Sequence, residues 1–149
     1  MIDDFDRAIL NLVQENNQLT HAEIGAKVNL SASSVRRRLK ALRDNKVIEA
    51  DVSVVNPGKE MIQVIVTISF LRESVEGYNA FKEQMKAAPE VAQCYSVAGE
   101  VDAILVVNAP DLPSYEAWGE RVLMSNPLIR RYNTHIVWSR VKFSMAVAF

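Results

Sequence analysis

Along the first sixteen positions the apolar residues Phe5, Ile9, Leu12 and Val13 recur at i, i+4, i+7 and i+8, the spacing that gathers side chains on one face of a helix. The pattern predicts a helix from about Asp4 to Asn16, with Asp3, Asp4 and Asp6 at the end where the helix dipole favours negative charge. After the polar break "ENNQ", Thr20 and Glu23 have capping-box spacing and open a short second helix that buries Ile24 and Val28. It ends at Asn29, a residue that tolerates the left-handed conformation of a tight turn, and Ser31 is a good N-cap for a third helix. On that helix Val35, Leu39 and Leu42 form the apolar stripe. Steps of about 100° per residue then turn Ser33, Arg36, Arg37, Lys40 and Arg43 outward and leave Arg38 beside the stripe, where an acid of the first helix is its natural partner.

Beyond "KVIEADVSVVNPGKE", whose β-branched residues predict a short strand and whose Asn-Pro-Gly predicts a hinge, the pattern changes. "MIQVIVTISFL" alternates with period two: Ile62, Val64, Val66, Ile68 and Phe70 share one face, and both faces carry apolar residues. A helix with Tyr78, Phe81 and Met85 on one side follows and stops at Pro89. Next come the strands "VAQCYSV" and "DAILVVNA", a helix with Tyr115, Trp118 and Val122 on one side, and a last strand from about Ile129 to Val141. The order β-α-β-β-α-β is that of the ferredoxin-like split unit, two helices on one face of a four-stranded antiparallel sheet. The fold expected is therefore α+β: a helix-turn-helix (winged-helix-like) domain over residues 1–59 and a ferredoxin-like βαββαβ regulatory domain over 60–149. The sheet face left without helices would expose apolar side chains, and pairing with a second copy is the expected way to cover it.

The 149 residues, 49% hydrophobic and 23% charged, describe a folded chain rather than a disordered one. Its apolar runs are shorter than the roughly 20 residues a membrane span needs. The acidic start "MIDDFDRAIL" is unlike a signal peptide, so no membrane and a cytoplasmic location are expected. Net charge is −1, but six of the seventeen basic residues fall between Ser31 and Ala50, against the two acids Asp44 and Glu49. A helix, a short helix, a tight turn and a third helix with a basic, serine-rich outer face form the layout of a helix-turn-helix, so double-stranded DNA is the expected partner. Arginine and lysine neutralise phosphates, small serines permit close approach, and arginine donates two bonds to a guanine edge. Ser33, Ser34, Arg36, Arg37 and Lys40 are the candidate DNA contacts; the alternative for any of them is a solvated charged face.

Catalysis finds little support. His21 lies in the second helix's capping box, His135 is remote on a strand, and neither belongs to a metal-ligand pattern. Cys94 on a strand reads as a small buried hydrophobe. No phosphate-cradling glycine loop or nucleophile elbow is present, and no catalytic residue, metal or cofactor is expected.

In "DRAIL", "THAEIGAKVNLSASSVRRRLKAL", "VIEA" and "VAGEVDAILVV" the chain resembles the Lrp/AsnC (feast/famine) transcriptional regulators over essentially its whole length. The resemblance implies a DNA-binding domain joined by a hinge strand to a regulatory domain that forms dimers and higher homo-oligomers. It also implies a small effector, typically an amino acid, bound between dimers. The family's G-x-x-D pattern falls on Gly99 and Asp102, with Glu100 and Val101 lining the same turn. Glycine permits close backbone approach, backbone N–H groups suit a carboxylate, and Asp102 suits an ammonium group. Thr134 and Ile136 on the last strand are further candidates for the pocket. A tight hairpin turn held by its own Asp is the structural alternative for this turn. An architectural DNA binder without an effector is the alternative function. Two positions depart from the family's habit: Lys46 stands where many members carry glycine, and Val101 where an aromatic residue is frequent.

Overall fold

The computed structural model describes residues 2–56, 58–71 and 74–149. They form two compact units, one running to Val55 and including Val141–Phe149, the other spanning Asn56–Arg140. The residues 141–149, read from sequence as part of the second domain, thus group with the first. Of the expected Asn-Pro-Gly breaker, Pro57 lies outside the described residues.

The first unit holds three helices, α1 (Asp4–Glu15), α2 (His21–Val28) and α3 (Ala32–Asp44). Two of them start with reciprocal capping. The Asp3 carboxylate accepts from the Asp6 N–H at 2.8 Å while Asp6 accepts from the Asp3 N–H at 3.2 Å. Thr20 and Glu23 make the same pair of bonds for α2, at 3.2 and 2.7 Å. Each box satisfies two N–H groups that a helix start otherwise leaves without a partner. The apolar stripes meet in a core of Ile9, Ile24, Val28, Val35 and Leu39. Phe5 is not part of it: 44% of its surface is exposed, and the Arg38 guanidinium lies 5.4 Å from its ring centroid.

The turn from α2 to α3 is set by backbone geometry. Asn29 takes the left-handed conformation, φ 57° and ψ 45°, and its N–H donates to the Gly25 carbonyl. The Leu30 N–H donates to the same carbonyl at 3.0 Å. Gly25 itself is pressed against the next segment, where a Cβ would sit 2.4 Å from the Leu30 carbonyl oxygen. At the other end of α3, Lys46 is also left-handed at φ 55°. The chain closes there with bonds from the Lys46 N–H to the Arg43 carbonyl and from the Val47 and Ile48 N–H groups to the Leu42 carbonyl. The strand expected after α3 does not form: the described residues from Glu49 to Asn56 are irregular and exposed, with Val52, Val54 and Val55 at 67, 63 and 76%. A β-prone segment needs a neighbouring strand to supply the ladder bonds, and the chain offers this one none. The tail is tied to α1 through Gln14, whose amide accepts from the Val147 N–H at 2.7 Å and donates to the Val147 carbonyl at 3.0 Å.

The second unit is the expected split unit: β1 (Ile62–Phe70), α4 (Val75–Ala87), β2 (Val91–Ser96), β3 (Ala103–Ala109), α5 (Leu112–Gly119) and β4 (Ile129–Ile136). The sheet order is β2-β3-β1-β4 and every pairing is antiparallel. Val64, Val66, Ile68, Leu105 and Val107 face one way and pack against Phe81 and Met85 of α4 and Tyr115 and Trp118 of α5. After Gly119 the last helix widens into a π-helical turn, Glu120–Met124, which buries Val122 and Leu123. The opposite sheet face carries no helix and includes Ile65, Thr67, Ile104, Val106 and His135. β4 ends at Ile136 rather than Val141. Its last ladder bond runs from the Val137 N–H to the Gln63 carbonyl, β1 begins at Ile62, and Trp138 beyond is 98% exposed. Among the described residues no helix is long and apolar enough to cross a membrane.

Two substitutions test the geometry of the first unit in opposite directions. Gly25→Ala must move Leu30 and is expected to lower stability by about 1–3 kcal/mol. Lys46→Gly removes a left-handed side-chain penalty and is expected to raise stability by about 0.5–1 kcal/mol. Urea unfolding midpoints measure both.

Candidate functional site

The outer face of α3 sorts its cations by partner. Ser31 caps the helix by accepting from the Ser34 N–H at 3.2 Å, and its hydroxyl also lies 3.0 Å from that of Ser33 and 2.9 Å from that of Ser34. The serines therefore form one small hydroxyl cluster at the start of the helix. Arg36 and Arg37 are exposed, and neither has an acid within ion-pair distance among the described residues.

Arg38, next in sequence, turns back. It reaches Asp3 at 2.7 Å and Asp6 at 2.8 Å, the two acids that cap α1. Its position beside the apolar stripe anticipates this pairing. The Asp6 N–H first, and then Arg38, hold the Asp3 carboxyl below its ordinary range, while the bonds to Asp3 and Asp6 hold the guanidinium above its own. Lys40 is bonded to Asp44 at 2.5 Å, an exposed pair that another anion can displace. Arg43 makes a two-pronged pair with Asp51, 2.9 and 3.3 Å, fastening the end of α3 to the segment that follows it. Sequence spacing signalled neither Gly25 nor the Arg43–Asp51 pair; the second needed the path of the chain after Lys46.

The Gly99–Asp102 turn lies in the second unit. Gly99 has φ 149°, outside the range that other residues favour, and open space around it. Glu100 is exposed and Val101 partly so. Asp102 is built into the sheet: its N–H donates to the Ile68 carbonyl at 2.8 Å, its carbonyl accepts from the Val97 N–H at 3.1 Å, and its Oδ2 accepts from the Phe70 N–H at 2.7 Å. The carboxylate thus finishes the end of the central strand, and it also lines an open groove with Ser74, Tyr78, Asn79 and Lys82 of the segment containing α4.

Thr134 and Ile136 are elsewhere. They pair with Val66 and Val64 on the far side of β1, and the Thr134 hydroxyl is bonded to that of Tyr115 at 2.7 Å. Two strand spacings and three to five residues of rise separate them from Asp102, on the order of 14 Å for Thr134 and 19 Å for Ile136 within one chain. One chain brings the turn together with α4, not with β4.

An enzyme or metal sensor built on the Cys94 thiol and the His135 imidazole would need the two side chains to converge. They sit on β2 and β4, opposite edges of the sheet. Cys94, expected from sequence to be buried, is exposed on β2, an outer strand with only one neighbour; partial desolvation still pushes its thiol up, away from the thiolate form. Among the described residues no group of three or more His, Cys, Asp or Glu is placed to hold a metal ion.

Comparison with known proteins matches this layout domain by domain. Residues 2–43 match the AsnC-type helix-turn-helix domain, and residues 63–147 match the Lrp/AsnC ligand binding domain. The chain belongs to the Lrp/AsnC family. An uncharacterized HTH-type transcriptional regulator of Sinorhizobium fredii, y4tD, is 41% identical over 148 residues, 98% of this chain and 88% of that one. The transcriptional regulator NMB0573 of Neisseria meningitidis, solved as a complex with L-Met, superposes with a TM-score of 0.89 at 26% identity, covering 99% of this chain and 96% of the other. An AsnC family regulator from Agrobacterium tumefaciens does so with a TM-score of 0.88 at 30% identity, covering 97 and 95%. The chain is a transcriptional regulator with a DNA-binding helix-turn-helix and a ligand-binding domain, and not an enzyme. Against the family's habit of glycine at position 46, the left-handed φ of Lys46 is telling: the turn keeps the glycine conformation with a side chain in it.

The Arg38 clamp predicts a pH signature. A carboxylate held low contributes stability above the ordinary carboxylate range, and that contribution fades as pH falls through the lowered value. Arg38→Ala is expected to lower stability at neutral pH and to remove part of this acid sensitivity, leaving the share due to the Asp6 N–H. Urea midpoints across an acid titration of both proteins read it.

Proposed function

We propose that this regulator reads specific DNA sites in the cytoplasm as a homodimer or larger homo-oligomer, and that an amino acid effector alters its assembly or DNA affinity. The observation that carries the reading is the division of the arginines on α3: Arg38 is consumed by the acids of α1 while Arg36 and Arg37 extend outward and, among the described residues, have no acid to neutralise them. Exposed cations beside a hydroxyl cluster suit phosphates and base edges together. Ser33, Ser34, Arg36 and Arg37 form the reading surface. Lys40 joins it when a phosphate replaces Asp44.

Dimerisation follows from the helix-free sheet face. Ile65, Ile104 and Val106 are too apolar to face water and too interspersed with Thr67 and His135 to form a core alone, and a second sheet laid against them covers both kinds of side chain. A two-fold pair presents two α3 helices to a two-fold DNA site. For the effector, the supporting facts are the match to a ligand-binding domain, the L-Met complex of the Neisseria regulator, and the Asp102 carboxylate beside the open Gly99 turn. Thr134 and Ile136 are distant from Asp102 within one chain and lie on the helix-covered face, so they enter the site only from a copy in an assembly larger than the sheet-face pair.

The test is DNA binding by wild type and Arg37→Ala across a salt titration, with and without each of the twenty amino acids, on duplexes selected from a random pool. Loss of one phosphate contact is expected to shallow the slope of log affinity against log salt by about one unit. An unchanged affinity and slope refute the reading surface. At least one amino acid is expected to change affinity or sedimentation; if none does, the protein is an architectural DNA binder instead.

A further inference from the structure

The groove beside Asp102 has a second wall that the turn itself does not explain. Val75, Tyr78, Asn79 and Lys82 follow one another at i, i+3, i+4 and i+7, so α4 presents them on a single face, and with Ser74 and Asp102 they line a groove of about 410 Å³. Phe81 and Met85, on the other side of the helix, are buried in the core and fix its rotation.

Within this groove the charges are arranged in opposition. The Lys82 ammonium lies over the Tyr78 ring, 5.2 Å from its centroid, and among the described residues it has no carboxylate partner. Its neighbour Lys86, one turn on, is paired with Glu83 at 2.7 Å, so an acid is to hand on α4 and does not neutralise Lys82. Tyr78 holds the other end as well, since its hydroxyl donates to the Asp102 carbonyl at 3.3 Å. A cation over the ring face and a carboxylate beyond the ring's hydroxyl are therefore fixed relative to each other by one rigid side chain. Asp102 uses Oδ2 on the Phe70 N–H, and among the described residues Oδ1 has no hydrogen-bond partner. Asn79 supplies a donor and an acceptor between them.

We propose that Lys82, seated on Tyr78, is the carboxylate-binding residue of the effector site, so that the groove takes a zwitterionic amino acid with its carboxylate on Lys82 and its ammonium on Asp102. A simple anion meets Asp102 and a simple cation meets Lys82, each a like-charge contact; a molecule with both charges on one carbon satisfies both walls. This inference rests on the amino-acid reading given above and assigns its missing half to α4 rather than to the backbone of the Gly99 turn.

The experiment is a thermal-shift titration of the full chain with the twenty L-amino acids, repeated on Lys82→Met and Lys82→Arg, and with the carboxamide of every amino acid that binds. Lys82 is exposed, so the unliganded melting temperature of each variant serves as the check on folding. Any amino acid that stabilises wild type is expected to lose at least about tenfold in affinity in Lys82→Met, as loss of one charge-assisted bond implies, and to recover most of it in Lys82→Arg. Its carboxamide is expected not to bind. If an amino acid stabilises Lys82→Met as it does wild type, or if its carboxamide binds equally well, the assignment to Lys82 is overturned and the amino-acid reading stands. If none of the twenty shifts wild type, the amino-acid reading fails and this inference falls with it.

Discussion

The position of α3, the proposed reading helix, depends on a contact between two pieces of backbone. Where a side chain on residue 25 would begin, the Leu30 carbonyl already sits, 2.4 Å from the place a Cβ would occupy. Only glycine lets α2 come this close to the segment that starts α3, and only then can the Gly25 carbonyl receive the N–H groups of both Asn29 and Leu30. Asn29 adds the left-handed step, which a short polar side chain tolerates best among residues other than glycine. The buried residues Ile24, Val28, Val35 and Leu39 make the two helices stick, but apolar packing is non-directional. The angle comes from the turn.

Given that angle, electrostatics decides which cations are free to act. Three consecutive arginines project about 100° apart, and the acids at the start of α1 lie within reach of one alone. Asp3 and Asp6 serve twice, each capping the other's backbone and both binding Arg38, so that the same carboxylates start one helix and lock it to another. Phe5 is drawn into this arrangement, its ring lying under the guanidinium instead of in the core. The clamp leaves the positive charge of α3 concentrated on Arg36 and Arg37. Charge that looks uniform in the sequence is thereby divided into a structural part and an available part.

What the sequence reveals here follows the range of the interaction. The capping boxes, the stripe on α3, the side to which Arg38 turns and the β-α-β-β-α-β order all depend on residues a few positions apart or on simple periodicity, and all are legible. The strand after α3 is not: Val52, Val54 and Val55 have the right composition, but a strand exists only with a partner, and composition does not name one. The end of β4 fails to be legible for the same reason, because it is fixed by where β1 begins. Gly25 and the Arg43–Asp51 pair depend on close approaches between segments, which spacing alone does not encode. The tail tied to Gln14 is the extreme case, a contact across 133 positions in which a side-chain amide provides the two bonds a neighbouring strand would.

Asp102 belongs to both categories at once, and that would give the proposed effector site its leverage. The turn reads in sequence either as a ligand site or as a hairpin held by its own aspartate, and the structure gives the aspartate a sheet to hold: Ile68 and Phe70 of the central strand are bonded to it. The same strand alternates faces, so Thr67 and Ser69, beside those residues, point to the helix-free side where the proposed second copy binds. A ligand that draws on the Asp102 carboxylate therefore acts on a group that already holds the Phe70 N–H of β1. No long path is required for an effector to bias assembly. The strand positions held by Asp102 are adjacent to those that would meet the proposed partner, and a ligand that prefers one arrangement of that carboxylate would shift the balance between associated states by its difference in affinity for them.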